Sequence, residues 1–235
     1  MAKKDLMDTI VPYPKVNLSS RTHIYNDNRV IACLIDAMRP ENIETNEFTA
    51  LIRTTTKLLA LDVFGNVKTE EIKIKTPICK TLGNRISKKS VCLIPILRAG
   101  LAMEEGLVEV VPYAAHGKCG LARDEETLKP SMYLWEMPKG IEDMDAYILD
   151  PMLATGGTAS CCIARLRAIG CKGKISVMSI VGAPRGVDTI QLHHPDVELF
   201  IGHLDEGLNR HGYVVPGLGD AGDRLYGPKE PPLLI

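Results

Sequence analysis

Neither sign of charge is in surplus: 28 lysines and arginines stand against 29 aspartates and glutamates in 235 residues, a formal net charge of −1. Proteins that grip nucleic acid by general electrostatics carry a clear basic excess, so no nucleic-acid partner is expected. No apolar run approaches the roughly 20 residues that a bilayer-crossing helix needs, so no membrane partner is expected either. The opening MAKKDLMDTIVPYP carries charge with no apolar stretch behind it, which is not the pattern of a signal peptide. The cytoplasm is the expected location. None of the seven cysteines forms a Cys-x-x-Cys pair. An odd, scattered set points to reduced, mostly buried thiols. The six histidines lack zinc-ligand spacing, and His-Glu-x-x-His is absent, so no metal-ligating residues are assigned. His193 and His194 precede Pro195, which suits a helix end rather than a metal site. The Gly-x-x-x-x-Gly-Lys-[Ser/Thr] loop of a nucleoside kinase is missing, and no Gly-x-Gly-x-x-Gly fingerprint follows a predicted strand.

What is present is an ordinary globular balance, 45% hydrophobic and 24% charged, which excludes a disordered chain. The length suits a single domain spanning 1–235, with an arm and helices over 1–90 and the core over 91–235. Residues 1–25 are polar, contain Pro12 and Pro14, and read as an arm or a loosely held terminus. Helices are predicted over 28–38 and 46–61; in the second, Phe48, Leu51, Ile52, Thr55, Leu58 and Leu59 share one face. A short strand pair is predicted around Val67 to Ile74. Val91–Leu97 (VCLIPIL) is a continuous apolar run, as for a strand covered on both faces. A helix is predicted near Ala99–Val110, a strand over Tyr113–Leu121, and a long polar excursion over 124–145 of the kind that often serves as a lid. Strands at Ala146–Leu149, Ile175–Val181 and Val197–Ile201 alternate with helices at Thr158–Ile169 and Arg185–Leu192. The second-last helix buries a stripe of Ala159, Cys162, Ile163, Leu166 and Ile169 and stops at Gly170. The alternation predicts an α/β fold, a doubly wound parallel sheet with an N-terminal helical arm and a small hood.

Ligands of open α/β sheets bind at the carboxyl ends of the strands, and three segments map there. The first is Asp150-Pro151-Met152-Leu153-Ala154-Thr155-Gly156-Gly157-Thr158, between a strand and a helix. Its glycines allow a tight turn, the helix start offers unpaired amides to a phosphate, and Thr155 and Thr158 add hydroxyls. Asp150 suits the two hydroxyls of a ribose. A bare Gly-Gly turn is often only a connection with Thr158 as cap; the neighbouring Asp150 and threonines weigh against that. The second segment is Pro95-Ile96-Leu97-Arg98-Ala99-Gly100, where Arg98 offers a planar, permanently charged fork to phosphate oxygens. The third is Gly212-Tyr213-Val214-Val215-Pro216-Gly217-Leu218-Gly219-Asp220-Ala221-Gly222-Asp223. Its interleaved apolar residues argue for an ordered loop whose backbone can approach a ligand closely.

YILDPMLATGGT closely resembles the phosphoribosyl pyrophosphate loop of uracil phosphoribosyltransferases. Most other phosphoribosyltransferases of the broader fold have two adjacent acidic residues there; Pro151 takes the second place, as in the uracil branch. PILRAG resembles that family's pyrophosphate turn, and the glycine run resembles its uracil-binding signature. Ala122-Arg123-Asp124-Glu125-Glu126-Thr127-Leu128 resembles its mobile loop. The resemblance implies type I phosphoribosyltransferase architecture and the making of uridine monophosphate from uracil and phosphoribosyl pyrophosphate. It implies that residues 150–158 with Arg98, Arg123 and Asp220 hold phosphoribosyl pyrophosphate. Tyr213, Val214, Gly219, Asp220 and Ala221 would hold uracil, chiefly through backbone groups. Arg98, Arg123 and Asp220 would act in catalysis, with Mg²⁺ held mainly by substrate oxygens. A homo-dimer or homo-tetramer is implied, and GTP as an effector stays open. Arg39, Thr45 and Phe48 look like family positions, whereas Ala60-Leu61-Asp62 stands where the family commonly has Tyr-Glu-Ala. The competing readings are a non-catalytic relative that binds uracil or phosphoribosyl pyrophosphate, and a purine phosphoribosyltransferase. The first predicts damage at Arg98, residues 150–158 or Asp220, and none is seen; Pro151 and the glycine run oppose the second.

Overall fold

The computed structural model describes residues 10–88, 90–123 and 130–228, without the side chains of 122, 123 and 130. Its centre is a sheet of β1 (Thr22–Ile24), β4 (Val91–Leu97), β6 (Lys118–Arg123), β7 (Pro130–Glu136), β8 (Asp145–Leu149), β10 (Ile175–Gly182) and β11 (Glu198–Leu204), in the order β1-β11-β10-β8-β4-β6-β7. All neighbours are parallel except β6 and β7. Short β5 (Ala115–His116) pairs with β4, and β9 (Met152–Leu153) pairs with β10.

The unbroken apolar runs follow from burial on two sides. In β4, Val91 and Leu93 face one core, while Cys92, Ile94 and Ile96 face the other. The first core is closed by α1 (Arg29–Met38), α2 (Thr45–Val63) and α3 (Gly100–Val108), through residues such as Ile35, Phe48, Ile52 and Met103. The second is closed by α4 (Gly157–Ala168) and α5 (Pro184–His193), through Cys162, Ile163, Leu166, Val187 and Ile190. Each such side chain contributes roughly 1.5–3 kcal/mol on leaving water. The α/β doubly wound architecture expected from the alternation is what forms. Asn28 starts α1 by accepting from the amides of Val30 and Ile31 at 3.1 and 3.2 Å. Gly170 ends α4 at φ 88, where a Cβ would be strained. All seven cysteines are free thiols, and burial pushes Cys92 up to about 12, which makes it inert.

Several boundaries differ from the sequence reading. The early strand pair is β2 (Thr69–Lys75) with β3 (Lys80–Ile86), a hairpin of exposed, alternating residues reaching twelve residues past Ile74 to Ile86. The single strand expected over 113–121 is split into β5 and β6 at Gly117, where a Cβ would meet Met137 Sδ at 2.7 Å. The excursion expected over 124–145 contains β7, antiparallel to β6, with Met132 and Trp135 packed on the second core. Ile169 caps α4 and is 38% exposed instead of completing its stripe. The arm is held from residue 10 onward: the Val11 amide donates to the Leu208 carbonyl at 2.8 Å, Tyr13 Oη donates to Asp188, and β1 edges the sheet. The chain closes with a hood of β12 (Gly207–Leu208) and β13 (Val214–Val215), followed by α6 (Ala221–Tyr226). No helix among the described residues is long and apolar enough to cross a membrane.

Candidate active site

From β4 the chain moves to one side to make β6 and returns to the other side to make β8. The winding therefore reverses between β4 and β8, and a crevice opens beyond their carboxyl ends. Gly100 keeps its base tight: a Cβ there would stand 2.3 Å from the Leu149 carbonyl oxygen. A cavity of about 170 Å³ lies at this point, lined by Arg98, Asp150, Met152, Asp220, Ala221 and Asp223 among others. Five of these six are residues the sequence singled out for one ligand or another; they come from positions 98, 150–152 and 220–221.

Each wall has a local cause. Asp150 leaves β8, and its Oδ1 accepts from the Met152 amide at 3.3 Å. The Pro151 carbonyl accepts from the amides of Ile180 and Val181, both at 3.0 Å, which ties the loop to β10. Gly156 takes φ 79 as the N-cap of α4, a conformation that excludes most side chains. The Gly157 amide donates to Thr155 Oγ1 at 3.4 Å. As at any helix start, the first amides of α4 lack intrahelical carbonyls, and with the helix dipole they suit an anion. A second recess, running from Asp150 to Ala159 along this loop, continues from the first cavity through Asp150 and Met152.

Arg98 follows β4 through a cis peptide bond, and its Nη2 donates to Asp223 Oδ1 at 2.9 Å. Its guanidinium stands 6.0 Å from the centre of the Tyr226 ring. Asp220 is the N-cap of α6, its Oδ1 accepting from the Asp223 amide at 3.0 Å. The pyrophosphate turn and the glycine run are thereby joined by one ion pair at the cavity wall. Gly217 takes φ 65, and a Cβ there would lie 2.1 Å from the Val214 carbonyl oxygen; Gly219 takes φ 69. Val214 is buried in β13, while Tyr213 is 44% exposed beside it. Tyr213, Val214 and Gly219 do not line the 170 Å³ cavity. Arg123 ends β6, but its side chain and residues 124–129 lie outside the described residues.

The sequence reading missed Asp205 and Asp223. Asp205 is 4% exposed. Its carboxylate accepts from Arg39 Nη1 and Nη2 at 3.1 and 2.8 Å, and from the Gly217 amide at 2.9 Å, and it pairs with His203 Nδ1 at 2.8 Å. Burial alone would raise its pKa; hydrogen bonds from His203 and Arg39, the arginine charge and the Gly217 amide outweigh it and hold the group below the usual value. Arg39 Nη1 also donates to the Gly217 carbonyl at 3.0 Å. Thr45 Oγ1 donates to the Arg224 carbonyl at 3.1 Å, and the Arg224 guanidinium sits 4.2 Å over the Phe48 ring. Arg39 thus braces the glycine run directly, while Thr45 and Phe48 hold Arg224, whose Nη1 donates to the Leu218 carbonyl of that run at 2.6 Å. No group of three or more potential metal ligands forms among the described residues.

Sheet order, the switch-point crevice and a phosphate-type loop opening a helix together define a phosphoribosyltransferase of the type I fold. A family model described as uracil phosphoribosyltransferase matches residues 25–228. The uracil phosphoribosyltransferase of Finegoldia magna is 45% identical over 203 residues, 86% of this chain and 97% of that protein. Among solved structures, the AQ2163 protein of Aquifex aeolicus superposes with TM-score 0.80 at 33% identity, over 90% of this chain and 97% of that one. An adenine phosphoribosyltransferase from Trypanosoma brucei shares the fold, with TM-score 0.51 at 12% identity over 82% of this chain and 87% of that one. The chain belongs to the uracil phosphoribosyltransferase family.

Proposed function

We propose that the chain transfers the 5-phosphoribosyl group of phosphoribosyl pyrophosphate to a ring nitrogen of uracil, forming uridine monophosphate and releasing pyrophosphate. The observation that carries this reading is the convergence of Arg98, Asp150 and Asp220 on one cavity that continues into the 150–158 loop. In this reading the loop amides hold the 5-phosphate and Asp150 accepts from the ribose hydroxyls. Arg98 and Arg123 take the charge that develops on the departing pyrophosphate as the carbon–oxygen bond loosens toward an oxocarbenium-like state. Backbone groups near Val214, Gly219 and Ala221, with Tyr213 beside them, match the donors and acceptors of uracil. A mismatched base leaves buried partners unpaired, which is how such a site discriminates. Asp220, on the wall of the same cavity, would stand near the ribose and orient the reacting nitrogen.

Mg²⁺ fits as a substrate-held ion, since the three carboxylates lining the cavity, Asp150, Asp220 and Asp223, form no cage among the described residues, and Asp223 is paired with Arg98. Bound there, it supplies charge neutralisation to the pyrophosphate. The same reading includes a homo-dimer or homo-tetramer and a cytoplasmic location, the latter supported by seven free thiols, and leaves GTP as an effector to the assay below.

Turnover is tested with uracil, phosphoribosyl pyrophosphate and Mg²⁺, with cytosine and hypoxanthine as controls, with and without GTP. Uracil-only turnover is expected, and Arg98→Ala is expected to lower kcat/KM by about 100-fold or more. Asp220→Asn keeps a capping oxygen for α6 while removing the charge, so a loss of turnover in a folded variant isolates the role of the carboxylate. Ligand binding by folded protein without turnover would favour the non-catalytic relative.

A further inference from the structure

In the substrate cavity, Arg98 is held by one short helix. Asp223 and Tyr226 stand three residues apart on α6, as neighbours on one face. Both reach Arg98: Asp223 Oδ1 accepts from its Nη2 at 2.9 Å, and the Tyr226 ring lies 6.0 Å from the guanidinium. The Arg98 side chain is 28% exposed, so the pair is screened less than one on the open surface. A guanidinium carries five N–H donors. The bond to Asp223 engages one of them, and Arg98 makes no other hydrogen bond among the described residues. A second carboxylate stands on the same wall. Asp220 begins α6, and its Oδ1 accepts from the Asp223 amide. Gly222 lies beside both groups: a Cβ there would stand 3.2 Å from Asp220 Oδ1 and 3.9 Å from Arg98 Nη2. Two carboxylates thus compete for one arginine, and α6 gives it to Asp223.

We propose that Asp223 is a positioning residue for phosphoribosyl transfer: it holds the Arg98 fork on the cavity wall, keeps it from pairing with Asp220, and so leaves both groups to their ligands. An arginine side chain gives up much rotamer freedom when it binds. A fork already held has less to lose when charge develops on the leaving pyrophosphate, and it needs no rearrangement at that moment. The carboxylate charge acts in the opposite direction, repelling the pyrophosphate, but pairing with Arg98 offsets it at 2.9 Å. Loss of the Asp223 side chain would leave Asp220 as the carboxylate beside Arg98, and one misplaced pair would occupy two site residues. The proposal rests on the reading of Arg98 as the pyrophosphate contact.

The test is a double-mutant cycle on the full chain: wild type, Asp223→Ala, Arg98→Ala and the doubly substituted protein, with Asp223→Asn beside them. Each is assayed for uridine monophosphate formation and titrated calorimetrically with pyrophosphate in the presence of Mg²⁺. Alanine keeps the amide that Asp220 caps and suits a helix, so the variants are expected to fold, as read from the urea midpoint. Asp223→Ala is expected to lower kcat/KM for phosphoribosyl pyrophosphate about tenfold when Arg98 is present and less than about twofold when it is absent. The KM for uracil is expected to stay within about twofold of wild type, and pyrophosphate affinity to fall in the same non-additive pattern. Asp223→Asn keeps an acceptor for Nη2 and is expected to lie between wild type and Asp223→Ala. Losses that multiply independently of Arg98, or a KM for uracil that rises with them, would show that Asp223 acts through the shape of α6 and overturn the proposal. Tighter pyrophosphate binding in both Asp223 variants would make the carboxylate a repelling charge only, and would overturn it too. If wild type binds pyrophosphate but does not turn over uracil, the enzyme reading fails, while the pyrophosphate cycle still decides whether Asp223 acts through Arg98. Wild type without either property would overturn both.

Discussion

At the residue scale, the position on which the site most depends is one that touches no predicted substrate contact. Asp205 is buried with both oxygens engaged, and it joins Arg39, 166 positions earlier, to the turn at Gly217. Removing one member of such a pair strands the other, so Asp205→Ala is expected to cost about 3 kcal/mol, read from the urea midpoint. The pH dependence has a definite sign. The folded carboxyl titrates below its unfolded value of roughly 3.9, because its hydrogen bonds and Arg39 outweigh burial. Its stabilisation is complete above the unfolded value and is lost as pH falls through the folded one. The gap in urea midpoint between wild type and Asp205→Asn is therefore expected to be constant near neutrality and to shrink below about pH 4. A gap independent of pH would contradict this account. Because the same carboxylate holds the Gly217 amide, Asp205→Asn is also expected to raise the KM for uracil more than that for phosphoribosyl pyrophosphate.

At the element scale, the phosphate loop is shaped as much by α5 as by its own glycines. Gly186, two residues into α5 from Pro184, lies under the loop, and a Cβ there would stand 2.6 and 2.7 Å from the carbonyl oxygens of Leu153 and Ala154. Backbone atoms cannot give way as a flexible side chain can, so Gly186→Ala must push the loop outward. The expected cost is about 1–3 kcal/mol, with unchanged far-ultraviolet dichroism and a KM for phosphoribosyl pyrophosphate raised several-fold. An unchanged KM would mean that the loop position does not depend on this contact. Gly156 faces the same interface from the loop side, its missing Cβ 2.9 Å from the Gly186 carbonyl oxygen. Glycines on two elements thus permit one close approach, which neither segment signals alone.

At the scale of the whole molecule, the arm closes one edge of the sheet. Residues 22–24 pair in parallel with Leu199–Ile201 of β11, whose residues Leu199 to Gly202 are buried. Deleting residues 1–24 is expected to expose that edge and produce concentration-dependent aggregation, seen by light scattering behind size-exclusion chromatography. A deletion variant with the wild-type elution profile would show that β1 is dispensable as an edge cover.

The sequence by itself determined the parallel core, because strands buried on both faces must be apolar throughout and their helices carry clear stripes. It marked the turns of the 150–158 loop and of the glycine run, because backbone at positive φ, as at Gly156, Gly217 and Gly219, favours glycine. It did not reveal β1, a three-residue strand in a polar arm, or β7, whose short apolar run Met132-Tyr133-Leu134-Trp135 stands inside a polar excursion; the strand state of both is imposed by their partners β11 and β6. Nor did it reveal that Arg98 would meet Asp223, or Arg39 meet Asp205, since pairs 125 and 166 residues apart leave no local pattern. Only the docking of the arm and the hood on α5 brings Arg185 and Arg210 around one cavity, because electrostatic neighbourhoods are set by packing and not by order along the chain.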